Sequence, residues 1–197
     1  MDYENQKVTF IKRSSIILIV FLVALDQIIK LFIAHFMMEA QFTIIPHVFA
    51  FQTTQNIHLG WIWHLLDFMM PLYLAVVISV VVILVMVVFY RYLVFLTLNL
   101  GKYRNIPIIF LILVLSAGLC KLIDDVFWGG SLDFIQLFNW FIFDLKDVYL
   151  TIASTMIIFF AIAYEVQLHK LPKEKRKEEK MKLRLWYWVK LGFPMKF

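Results

Sequence analysis

The sequence predicts an all-α polytopic membrane protein: four transmembrane helices with a small extracytoplasmic β-cradle and an interfacial loop. Composition is the first reason. The 197-residue chain is 62% hydrophobic and only 17% charged, with a mean hydropathy of +0.82, which is more apolar surface than a soluble domain of that length can bury. The second is the presence of four apolar windows, Ser15–Phe36, Phe68–Tyr90, Ile106–Phe127 and Val148–Glu165, each near the roughly 20 residues that cross a bilayer. The third is where the Lys and Arg residues fall. They cluster before the first window, between the second and third, and after the fourth, so the positive-inside rule puts both termini in the cytoplasm.

Taken in order, the first window follows Lys12 and Arg13, exceeds a signal-peptide h-region and contains Asp26 and Lys30, so it is expected to remain uncleaved. The stretch Phe42–Asn56 alternates in parts and is rich in Phe, Thr, Ile and Val, reading as a short extracytoplasmic strand or hairpin. His35, His47, His58 and His64 form no ligand spacing, and no metal site is expected. The single Cys120 excludes an intramolecular disulfide and reads as a small packing residue. After the third window Gly129–Gly130 breaks the helix, and the aromatic stretch that follows reads as a re-entrant or surface-lying connection.

The chain divides into residues 1–168, the membrane domain, and residues 169–197, a basic and aromatic cytoplasmic tail. That tail holds a solvated charge run and then Trp186, Trp188, Phe193 and Phe197 among basic residues, suited to the membrane interface. The net charge of +5 therefore points to anionic lipid and not to nucleic acid, for which no recognition motif is present.

Charged groups at the ends of apolar runs need a partner or a task. In "KLIDDVFWGG" Lys121, Asp124 and Asp125 stand at the outer end of the third helix, and Asp144 and Asp147 at the outer start of the fourth. Topology thus brings Asp124 and Asp147 to one depth. Two readings stay open on the residues alone: a carboxylate pair sharing a proton, able to activate water and protonate a leaving group, or interfacial acids that hydrate a loop and cap the fourth helix. Asp26 and Lys30, one turn apart, are either a self-neutralising pair or a brace for the acids.

At these residues the sequence resembles the lipoprotein signal peptidases, also called type II signal peptidases. The family's Asp-Gln-x-x-Lys pattern is similar to "DQIIK" (Asp26 to Lys30), its Asn-x-Gly-Ala-Ala-Phe stretch to "NIHLGW" (Asn56 to Trp61), its Gly-Asn-x-x-Asp-Arg motif to "CKLIDD" (Cys120 to Asp125), its Val-Asp-Phe-Ile to "LDFI" (Leu132 to Ile135), and its Phe-Asn-x-Ala-Asp to "FDLKD" (Phe143 to Asp147). The resemblance implies a four-helix membrane aspartyl protease with Asp124 and Asp147 as the catalytic pair. Asn56, Asp26, Lys30 and Asp133 would support the site. It further implies lipidated prolipoproteins as substrates, membrane lipids as surroundings, a monomer, and neither cofactor nor metal. The chain departs from the family pattern at Lys121, Asp125, Asp144 and Lys146, and Lys121 with Asp144 is expected to replace a neutral hydrogen-bonded pair. The alternatives are a non-catalytic relative that binds lipidated peptides or lipids, and a small proton-linked transporter with its acids at mid-membrane.

Overall fold

The computed structural model describes residues 12–57, 71–100, 102–182 and 184–193. Four helices are long and apolar enough to span a membrane: Arg13–Phe36, Leu72–Leu98, Ile106–Trp128 and Leu145–His169, with hydropathies of 2.6, 3.2, 2.6 and 1.7. They are carried by α1 (Arg13–Phe36), α2 (Leu72–Leu100), α3 (Ile106–Ile123, prolonged by one π-helical turn over Asp124–Trp128) and α4 (Leu145–His169). The expected windows hold, with shifted ends. The second helix runs past Tyr90 because "YLVFLT" stays apolar, and Arg91 keeps its head exposed. The fourth starts three residues earlier than expected, where Asp144 caps it. Asp144 Oδ1 accepts from the Asp147 N–H at 3.3 Å, and Asp147 Oδ2 accepts from the Asp144 N–H at 3.4 Å, a capping box that satisfies two orphan donors.

The bundle is inside-out by soluble standards, with Ile16, Ile17, Val20, Phe21, Ile28 and Leu31 outward and exposed on α1 alone. A continuous apolar exterior is what acyl chains cover. Inside, α2, α3 and α4 bury Leu93, Phe95, Phe110, Leu111, Val114, Ala153 and Phe160 together.

One end of the bundle is closed by a four-stranded antiparallel sheet of order β1-β2-β3-β4, formed by Gln41–Ile45, Phe49–Asn56, Ser131–Leu137 and Phe141–Phe143. The first two strands are the expected hairpin. The last two correct the reading of the third connection as merely re-entrant or surface-lying: β3 pairs with β2, setting Asn56 opposite Ser131 and Thr54 opposite Asp133. Ser131 to Phe134 are all buried, so the segment lacks the period-two alternation that marks a half-exposed strand.

The tail is also more ordered than a solvated run. It forms α5 (Lys173–Lys182) and α6 (Leu185–Lys190). Trp188 is 1% exposed and packs on Tyr92 at 5.4 Å and Phe95 at 6.3 Å between ring centroids. His58, Trp61 and His64 lie outside the described residues.

Candidate active site

Five carboxylates and two ammoniums gather where α1, the end of α3, β3 and the start of α4 meet the sheet. Lys30 is the inner cation. Its Nζ lies 2.9 Å from Asp26 Oδ2, 2.7 Å from Asp124 Oδ2 and 2.7 Å from Asp144 Oδ2, and all four side chains are fully buried. The helical period makes the Asp26–Lys30 contact local, whereas the other two pull α3 and α4 onto α1. Buried ions cost several kcal/mol each in lost hydration, which only such dense pairing offsets.

Asp124 is saturated by this network. Besides Lys30, its Oδ2 accepts from Ser131 Oγ at 3.0 Å, and its Oδ1 accepts from Gln27 Nε2 at 3.1 Å. Gln27 also donates to Asp26 Oδ2 at 3.0 Å and accepts from Trp128 Nε1 at 3.1 Å. Gln27 stood within the "DQIIK" motif without an assigned role; Ser131 carried no signal beyond following two glycines.

Lys146 is the outer cation. Its ammonium sits 2.5 Å from Asp144 Oδ2, 3.7 Å from Asp133 Oδ1, and 3.8 Å from both Asp124 Oδ2 and Asp147 Oδ2. Burial alone would raise Asp144, but Lys146 and Lys30 outweigh it and hold the carboxyl below the usual carboxylate range.

Asp133 and Asp147 differ from the acids around Lys30. With Asp144 they form one group whose carboxylate oxygens come within 4.8 Å of one another. Asp133 is nearly buried, at 4% side-chain exposure, and its Oδ2 accepts from Asn56 Nδ2 at 3.0 Å. Its Oδ1 has no hydrogen-bond partner among the described residues. Burial pushes its carboxyl up to about 6, Lys146 and the Asn56 hydrogen bond offsetting only part of the effect. Asp147, by contrast, is 38% exposed at its side chain. One acid of this pair is sheltered and the other is open.

The expected pairing of Lys121 with Asp144 is not found and is corrected here. Lys121 instead pairs with Asp125, one turn further along the same helix, and Asp125 Oδ2 accepts from Ser79 Oγ at 3.3 Å. The partners of Asp144 are Lys146 and Lys30, because the capping position turns its carboxylate into the cluster. Two acid triads, Asp26–Asp124–Asp144 and Asp133–Asp144–Asp147, have spacing compatible with a metal ion. In the first, the Lys30 ammonium already contacts all three acids, and in the second Lys146 supplies the positive charge.

Acids gathered beneath a sheet at one end of a four-helix membrane bundle define the class as a membrane-protease fold. Two solved bacterial membrane enzyme structures, both obtained by the in meso method, share the architecture. One superposes with a TM-score of 0.64 at 24% identity, covering 86% of this chain and 98% of its own; another gives 0.59 at 25% identity, with 75% and 92% covered. The family model described as Signal peptidase (SPase) II matches residues 18–163, and the chain belongs to the signal peptidase II family, a family of aspartic peptidases. No curated protein matches the chain significantly.

Proposed function

We propose that the protein is a membrane aspartyl endopeptidase that removes the signal peptide of diacylglyceryl-modified prolipoproteins, with Asp124 and Asp147 as its working carboxylates. The observation that carries this reading is their meeting at one cation, the Lys146 ammonium lying 3.8 Å from both Asp124 Oδ2 and Asp147 Oδ2. A dyad needs one carboxyl that keeps a proton and one that accepts one. One member of the pair takes a proton from a water whose oxygen attacks the scissile carbonyl, and the other protonates the nitrogen of the collapsing amide.

Asp124 is fully buried, and Lys30, Ser131 and Gln27 fix its carboxylate, while Asp147 is the more open of the two. Asp133, held by Asn56, stands beside Asp147 as a supporting acid. Basic residues flanking the spans support cytoplasmic termini and a site at the outer face of the cytoplasmic membrane.

Lys146, close to both acids, favours a second reading in which the dyad stays ionised and the protein only binds lipidated peptides. Gel-shift cleavage of a purified lipidated prolipoprotein separates the two. The peptidase reading expects cleavage before the lipidated cysteine and none of the unlipidated precursor. Binding without cleavage, unaffected by Asp124→Asn, would replace it with the binding protein.

A further inference from the structure

The tail beyond α4 takes no part in the acid site, yet it is built onto the opposite end of the bundle. α5 folds back along the end of α4, where Lys180 pairs with Glu165 and Arg176 Nη2 donates to the carbonyls of His169 and Leu171 at 3.1 and 3.2 Å. α6 then crosses to α2 and seats Trp188 against Tyr92 and Phe95. That contact fixes a depth. Tyr92 and Phe95 stand six and three residues inside the end of the apolar span at Leu98, or about 9 and 4.5 Å at the helical rise. α6 therefore lies level with the last two turns of the span, not in the water beyond it. At this level Leu185, Trp186 and Val189 are 53%, 55% and 47% exposed, and the helical period gathers them on an arc of about 100°. Arg184 and Lys190 are exposed beside them, the Lys190 ammonium 5.8 Å from the centre of the Trp186 ring. Lys173, Lys175 and Lys177 are exposed on α5, and residues 169–197 hold ten Lys and Arg against three Glu.

We propose that α6 is an interfacial helix that binds membrane lipid with anionic headgroups at the end of the bundle opposite the acid site. The arc of Leu185, Trp186 and Val189 enters the acyl boundary, while Arg184, Lys190 and the exposed lysines of α5 meet the lipid phosphates. Helices of this kind sink about 5–10 Å into the boundary, which is the depth that Trp188 imposes. Apolar burial alone would hold α6 in any bilayer. The basic residues select the headgroup, since each one near an anionic surface strengthens binding roughly fivefold. With α5 bound to α4 and α6 to α2, the lipid contact bears on two spans at once. This role is independent of which acids carry out cleavage.

A nitroxide label tests both halves of the proposal. The full-length protein carrying Cys120→Ser and one new cysteine, Val189→Cys or Lys175→Cys, is labelled in nanodiscs of phosphatidylcholine alone or mixed equally with phosphatidylglycerol. Collision with oxygen, which concentrates among acyl chains, is compared with collision with a neutral nickel chelate, which stays in water. In the mixed lipid, the label at position 189 should favour oxygen and the label at position 175 the nickel chelate. In phosphatidylcholine alone, or in the mixture at high salt, position 189 should shift toward the nickel chelate. Arg184→Gln combined with Lys190→Gln should remove most of that difference between lipids. Nickel exposure at position 189 equal to that at 175 in both lipids would overturn the proposal by placing α6 in water. Oxygen exposure unchanged by lipid or salt would overturn the anionic partner. Shielding from both reagents would mean that a second copy of the chain covers the arc, and would overturn it as well. Should the double variant fail to fold, the lipid and salt comparison with Arg184 and Lys190 in place still decides.

Discussion

Lys30 joins α1, α3 and α4 through the three carboxylates on its ammonium. Replacing it by Met would leave three buried acids without their cation, so Lys30→Met should cost about 3–5 kcal/mol, measured as a lowered denaturation midpoint in detergent. Asp133 acts on stability in the other direction. Its folded value of about 6 lies above the roughly 3.9 of an unfolded Asp, so the folded state holds the proton more tightly. Its contribution is greatest below about pH 4 and is lost as pH rises through 6. The slope of melting temperature against pH between 4 and 6.5 should accordingly flatten in Asp133→Asn. At this scale the sequence was partly readable. The i,i+4 rule gave Asp26–Lys30, and the same rule applied to Lys121 points to Asp125 in place of Asp144. The place of Asp133 was hidden, since it depends on the register that sets Thr54 opposite it.

The two glycines after α3 turn a helix into a strand without opening a gap. Gly129 ends the π-helical turn in the left-handed region at φ 66°, its N–H donating to the Asp124 carbonyl. Gly130, at φ 149°, runs so close to β2 that an added Cβ would sit 2.6 Å from the Asn56 carbonyl oxygen. Gly130→Ala should push β2 and β3 apart, displace Ser131 from Asp124 and reduce cleavage. Faster proteolytic nicking of the β1–β2 hairpin in the variant checks the cause, whereas a wild-type digestion pattern would argue against it. The helices were legible because length and hydropathy suffice for a span. β3 and β4 were not, because β3 buries its polar Ser131 and Asp133 as fully as Leu132 and Phe134 and is fixed by pairing with the distant β2, and β4 is only three residues long. The docking of Trp188 was equally hidden: aromatic residues among basic ones fit the membrane interface as well as they fit a protein groove. Trp188→Ala, by emptying the site against Tyr92 and Phe95, should destabilise by about 3 kcal/mol without altering the acid site.

For the molecule as a whole, the bilayer sets the design. Spans of 23 to 27 residues leave the acids at one end, beneath a sheet that closes the bundle. Orientation is testable in a Cys120→Ser background: Phe138→Cys in the β3–β4 turn should react with an impermeant maleimide from outside the cell, and Lys175→Cys only after lysis. The reverse pattern would invert the topology. Which acids do the chemistry is read from the cleavage rate of a lipidated prolipoprotein by purified Asp→Asn variants. Asp124→Asn and Asp147→Asn should each lose about 10²–10⁴-fold, and the double variant should be little worse than either, as for residues acting as a unit. Asp133→Asn should still cleave. Full activity in a folded Asp124→Asn, together with none in a folded Asp133→Asn, would contradict the Asp124–Asp147 assignment and move the catalytic role to Asp133 and Asp147.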